Sequence, residues 1–134
     1  QYNELMARRQ QRPSPPAIPS RPLAKGRTVR RTVGQMNKTE AKYAQMLDIE
    51  KHEGRILDYW FEKITFKLAD DTRYTPDFVI QRPDGTMEVH EVKGFWEDDA
   101  LVKIKVAAAQ FPFRFIAVSA IAQKHGGGWK EREF

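Results

Sequence analysis

A chain of 134 residues with 40% hydrophobic content holds one domain with a modest core. It has no cysteine, which excludes disulfides and thiolate zinc sites and favours an intracellular protein. No apolar run approaches the roughly 18 residues of a membrane span, and no secretory leader pattern is seen, so no membrane partner is expected.

The net charge of +5 is unevenly spread. Residues 1–35 hold eight basic residues, among them Arg27, Arg30 and Arg31, against the single acid Glu4. That is +7, which leaves −2 for the remainder. The same stretch holds five of the eight prolines. Residues 1–34 therefore read as a flexible or extended arm. Its use is either a phosphate-binding tether or a solubilising tail or linker.

An ordered domain is expected over 35–134. Asn37 can cap a helix over "NKTEAKYAQMLDIEKHEG", with Tyr43, Met46 and Leu47 as its apolar face and Gly54 as its stop. "RILDYWFEKITFKLAD" reads as β-rich, with Ile56, Trp60 or Phe61, Ile64, Phe66 and Leu68 facing inward. Asp70-Asp71 makes a turn, and "RYTPDFVIQRPDGTMEVHEVKG" reads as a hairpin. A helix is expected at 98–110, then a strand at 113–118, then a glycine turn and a final strand. This order gives an α/β or α+β sandwich with a mixed sheet. The 98–110 helix would join two parallel strands.

The hairpin turn is specific. Pro83, Asp84 and Gly85 fit a three-residue loop made of a type I turn and a G1 bulge. That loop pairs Arg82 with Thr86 and sets Asp77 opposite Glu91. Lys93, Val79 and Val89 then share the face of Asp77. A two-residue turn would shift the register and send Asp77 to the other face. Two opposed carboxylates repel. Lys93 offsets part of that charge, and a divalent cation held by both carboxylates would offset more. Oxygen ligands suit Mg²⁺ or Mn²⁺. The competing explanation is a solvated Asp–Lys–Glu cluster. The HEVKG stretch lacks the second histidine of a zinc helix.

"TPDF" followed by "EVK" resembles the PD-(D/E)-x-K nuclease signature, with Pro76-Asp77 and Glu91-Val92-Lys93 at the matching places. With "NKTEAKYAQML", "HEVKGFWEDDALVKIKVAA" and "FRFIAV", the stretch from about Met36 to Ala120 is similar to small bacteriophage and prophage proteins of that superfamily, long catalogued as a domain of unknown function. They are related in design to phage endonucleases and Holliday-junction resolvases. The resemblance implies a restriction-endonuclease-like core, a central mixed β-sheet flanked by helices. It implies Asp77 and Glu91 as Mg²⁺ ligands, with the Val92 carbonyl beside them and Mn²⁺ as a substitute. It implies Lys93 as the group that orients or deprotonates the attacking water and stabilises charge on the phosphate. It adds Glu40 from the first helix. Asn37 to Glu40 also has capping-box spacing, so Glu40 has a rival structural explanation.

Lys103 and Lys105 are either phosphate contacts or a solvated helix flank, and Arg27, Arg30 and Arg31 are the arm's DNA contacts. His90, of opposite parity to Glu91, reads as a packing or surface residue. Phe95 and Trp96 read as core or lid packing, with base stacking as the alternative. The expected function is a Mg²⁺-dependent endonuclease cutting branched DNA in phage replication or recombination, in the bacterial host cytoplasm, with a homodimer placing two sites on two strands. The alternatives are a non-catalytic nucleic-acid-binding module on a degenerate nuclease fold and a structural phage protein.

Overall fold

The computed structural model describes residues 34–94, 96 and 98–134. The arm, with Arg27, Arg30 and Arg31, lies outside the described residues, as does Phe95. Helix α1 spans Lys38–His52. It begins where Asn37 leaves the helical region and its side chain accepts the Glu40 N–H at 2.8 Å. It ends at Gly54, whose φ of 77° suits glycine alone among the common residues.

Five strands form one sheet in the order β1-β4-β5-β6-β7: β1 Asp58–Phe61, β4 Phe78–Gln81, β5 Met87–Lys93, β6 Arg114–Ala120 and β7 Trp129–Glu133. All neighbours are antiparallel except β5 and β6, which are parallel and joined through helix α2, Asp98–Gln110. Strands β2 (Phe66–Ala69) and β3 (Thr72–Tyr74) form a separate hairpin turned at Asp70-Asp71. The protein is thus α/β, with a mixed sheet between helices, consistent with a restriction-endonuclease-like core. Among the described residues no helix is long and apolar enough to cross a membrane.

Each face of the sheet has its own core. Tyr43, Ala44 and Leu47 of α1 pack on Phe78, Ile80, Val92, Ile116 and Val118. On the other face Ile104 and Ala107 of α2, with Phe66 and Tyr74 of the small hairpin, pack on Val79, Val89, Phe115 and Ala117. Ile64, expected inward, is 37% exposed, because it falls in the connection between β1 and β2 rather than in a strand. At full burial, leucine- or valine-sized side chains on such faces contribute about 1.5–3 kcal/mol each.

Central strand β5 is covered on both sides, so Glu88, His90 and Glu91 are buried too. Glu88, 1% exposed, accepts from Arg82 Nη2 at 2.8 Å, Arg114 Nη1 at 2.7 Å and His90 Nε2 at 2.9 Å. His90 Nδ1 meets the Tyr43 hydroxyl. An ionised carboxylate only accepts, so Nε2 donates to Glu88. Burial pushes the Glu88 carboxyl up, but the bonds from His90 and Arg82 outweigh it and hold it down at about 2.

Candidate metal centre

The turn decides the site. Gly85 N–H donates to the Arg82 carbonyl at 2.9 Å, Arg82 N–H donates to the Thr86 carbonyl at 2.8 Å, and Gly85 has φ 88°. The ladder runs Phe78↔His90, Val79↔Val89, Ile80↔Glu88 and Gln81↔Met87, the register of a three-residue loop. One step beyond it, Asp77 meets Glu91. The Asp77 N–H donates to Glu91 Oε2 at 3.2 Å, and the Val92 N–H donates to Asp77 Oδ2 at 2.8 Å.

A third acid enters the same row from the other side. Continuing the β1–β4 pairing Phe61↔Phe78 by one residue sets Glu62 opposite Asp77, and the Glu62 N–H donates to the Asp77 carbonyl at 2.9 Å. Glu62 has φ 50°, a left-handed conformation costly for a side chain other than glycine and held here by that bond. Glu40 comes down from the first turn of α1, 1% exposed. Its Oε1 accepts from Asn37 Nδ2 at 2.7 Å, so the capping interaction and the inward carboxylate coexist. Glu40, Glu62 and Asp77 each offer a carboxylate oxygen, all within 4.8 Å of one another.

Glu91 stands beside this group rather than within it. Its Oε2 accepts from the Tyr74 hydroxyl at 2.8 Å and its Oε1 lies 3.2 Å from Lys93 Nζ. Of the Val92 backbone, the N–H is committed to Asp77. Burial, then the Glu91 carboxylate, pushes the Asp77 carboxyl up to about 7, against the opposing pull of the Val92 N–H and Lys93. Burial pulls the Lys93 ammonium down, but Glu91 and Asp77 outweigh it and raise its pKa above the ordinary lysine value. Burial and Glu91 likewise raise the Tyr74 hydroxyl, which stays a donor.

These features fit a hard divalent cation. The donors are all oxygen, they come from three separate elements, and Asp77 carries charge that the protein leaves poorly balanced. A buried cluster of three acids can bind a metal ion here. Glu62 and Tyr74 were not legible as site residues. Only the β1–β4 register reveals Glu62, and Tyr74 reaches Glu91 across the small hairpin.

The remaining candidates lie further out. Lys103 Nζ reaches the Arg73 carbonyl at 3.5 Å, and both Lys103 and Lys105 are exposed on α2. His90 faces α1 and is buried in the Glu88 network, apart from the acid row. Trp96 packs against the α2-side core.

The family described as "Protein of unknown function (DUF1064)" matches residues 33–124. The chain belongs to the DUF1064 family. Every acid of the site, with Tyr74 and Lys93, falls within the matched part of this DUF1064 chain. No curated protein and no solved structure matches it.

Proposed function

We propose that the chain is a divalent-cation-dependent endonuclease that hydrolyses phosphodiester bonds in DNA, with branched or otherwise structured DNA as its substrate. The observation that carries this reading is the convergence of Glu40, Glu62 and Asp77 beside the Glu91–Lys93 pair. Acids from a helix, a strand end and a hairpin converge here, and the raised Asp77 pKa supports a functional reading of the cluster. Glu40, Glu62 and Asp77 would hold Mg²⁺, or Mn²⁺ in its place. Such an ion supplies Lewis-acid polarisation of a phosphoryl oxygen and lowers the pKa of water.

The chain's own residues do the rest. Tyr74 and the Asp77 N–H fix Glu91, and Glu91 fixes Lys93 at the mouth of the site. Lys93 is 36% exposed at its side chain, open to substrate while still paired. Its raised pKa keeps it protonated, so it acts as a donor to the phosphate oxygens as charge builds on them, rather than as the base. Water adds to phosphorus, the bond to the 3′ oxygen breaks, and the products are a 5′ phosphate and a 3′ hydroxyl. The basic segment at the start of the chain adds sequence-independent phosphate contacts. A second copy would bring a second site to the opposite strand of a junction. The similarity to phage and prophage proteins supports a role in phage DNA replication or recombination in the host cytoplasm.

The test offers four-way junctions, flaps and plain duplex to the purified chain with Mg²⁺, with Mn²⁺ and with chelator. Metal-dependent cutting of the branched substrates by the parent, lost in Asp77→Ala, is expected. If nothing is cut, while Asp77→Ala binds DNA as the parent does, the chain is a binding module instead.

A further inference from the structure

The register carries the acid row on across the sheet. Glu91 pairs with Ala117, which pairs with Arg132; one step further, Lys93 pairs with Ser119, which pairs with Lys130. Period-2 alternation puts these residues on the face that carries Val79 and Val89. Ala117 and Ser119 are short, so the surface dips between the longer side chains of β5 and β7. The dip is a cavity of about 180 Å³ whose lining includes Trp96, Leu101, Ala117, Ser119, Lys130 and Arg132. It lies one to two strand spacings, about 5–10 Å, from Lys93.

Two features point to an occupant. Trp96 Nε1 is buried and has no hydrogen-bond partner among the described residues. That donor is sealed within the protein, and the indole forms part of the cavity wall. Lys130 and Arg132 are exposed, and neither is in an ion pair among the described residues. Arg132 lies over the Phe134 ring, 4.8 Å from its centroid, which steadies the guanidinium at the rim. The site thus has an apolar, aromatic wall and two cations at its rim, with Glu131 between them in the lining. Its volume is below the roughly 300 Å³ at which pockets for drug-sized molecules begin, and suits one flat ring system.

We propose that this cavity receives one unpaired nucleotide of the substrate strand. The base stacks against the Trp96 ring, and the adjoining phosphate meets Lys130 and Arg132. The inference rests on the nuclease reading and adds a physical source of selectivity. DNA whose bases are already unpaired beside the scissile bond fills the cavity without the cost of unstacking, whereas intact duplex must be opened to do so.

The probe is a short DNA duplex carrying one bulged 2-aminopurine, compared with the same duplex fully paired, both titrated with the full chain in chelator. The parent is expected to bind the bulged probe more tightly and to change its fluorescence. Trp96→Ala should lose at least about fivefold of that preference, the low end for removing a stacking aromatic. Ser119→Leu, which fills the cavity and keeps Trp96, should lose it too. Lys130→Ala with Arg132→Ala should weaken both probes and lower the salt slope by about 2. Equal binding of the two probes by the parent, or an unchanged preference in both Trp96→Ala and Ser119→Leu, overturns the pocket. If the parent still cuts DNA with Mg²⁺ in that event, only the pocket falls. If it neither binds nor cuts DNA, the nuclease reading falls with it.

Discussion

Replacing Asp77 with Asn should stabilise the protein at alkaline pH in the absence of metal. Asp77 is 6% exposed, opposite Glu91 and near Glu40 and Glu62, and its carboxyl is pushed up to about 7 from an ordinary 3.8. A raised folded-state pKa means that the folded chain holds a proton the unfolded chain has lost. The contribution is therefore fully present below about pH 3.8 and is lost as pH rises through about 7. At about 1.4 kcal/mol per pH unit the loss has a ceiling of about 4 kcal/mol. Asparagine keeps an oxygen for the Val92 N–H and turns the other atom into a donor towards the neighbouring carboxylates. Urea unfolding in chelator should show Asp77→Asn more stable than the parent at pH 8 by about 1–4 kcal/mol, with the difference vanishing near pH 4. Added Mg²⁺ should stabilise the parent and not the variant. A variant less stable than the parent at pH 8, or a difference that ignores pH, would refute the claim that Asp77 carries unbalanced charge.

Glu88→Ala leaves buried His90 without its acceptor and takes one partner from Arg82 and Arg114, the latter keeping Glu133, so it should cost about 1–3 kcal/mol by equilibrium unfolding. Because the Glu88 pKa is depressed, its stabilisation exists above about pH 4.5 and should fade as pH falls towards 2. Gly85→Ala forces a β-carbon into φ 88° and should lower stability by about 1 kcal/mol or more, read as a fall in Tm. Deleting residues 1–34 should weaken DNA binding and flatten its salt dependence while Mg²⁺ binding stays intact; an unchanged salt slope would remove the tether role.

The hairpin was readable because its turn is local. Pro83, Asp84 and Gly85 fix the loop length, loop length fixes register, and register sets Asp77 against Glu91. Helix α1 was readable from its Asn37 cap and Gly54 stop, and α2 from its acids and Pro112. Glu62 was not, because its place depends on β1 pairing with β4 across the intervening β2–β3 hairpin and on a left-handed backbone that no sequence pattern marks. His90 was legible only as a packing or surface residue, and the Glu88 network was not legible at all. It forms because α1 covers that face, and its arginines come from β4's end and from β6, far apart in sequence. Ile64 erred the opposite way: it is apolar but sits in a connection.

The central claim is that Glu40, Glu62 and Asp77 hold one divalent centre. Calorimetric titration of the full chain with Mn²⁺ tests it most directly, with Glu40→Gln, Glu62→Gln and Asp77→Asn as comparisons. The account predicts saturable binding by the parent and at least about tenfold weaker binding in each variant, the loss of roughly 1.4 kcal/mol or more per ligand. Binding that is absent in the parent, or that survives unchanged in all three variants, would contradict it.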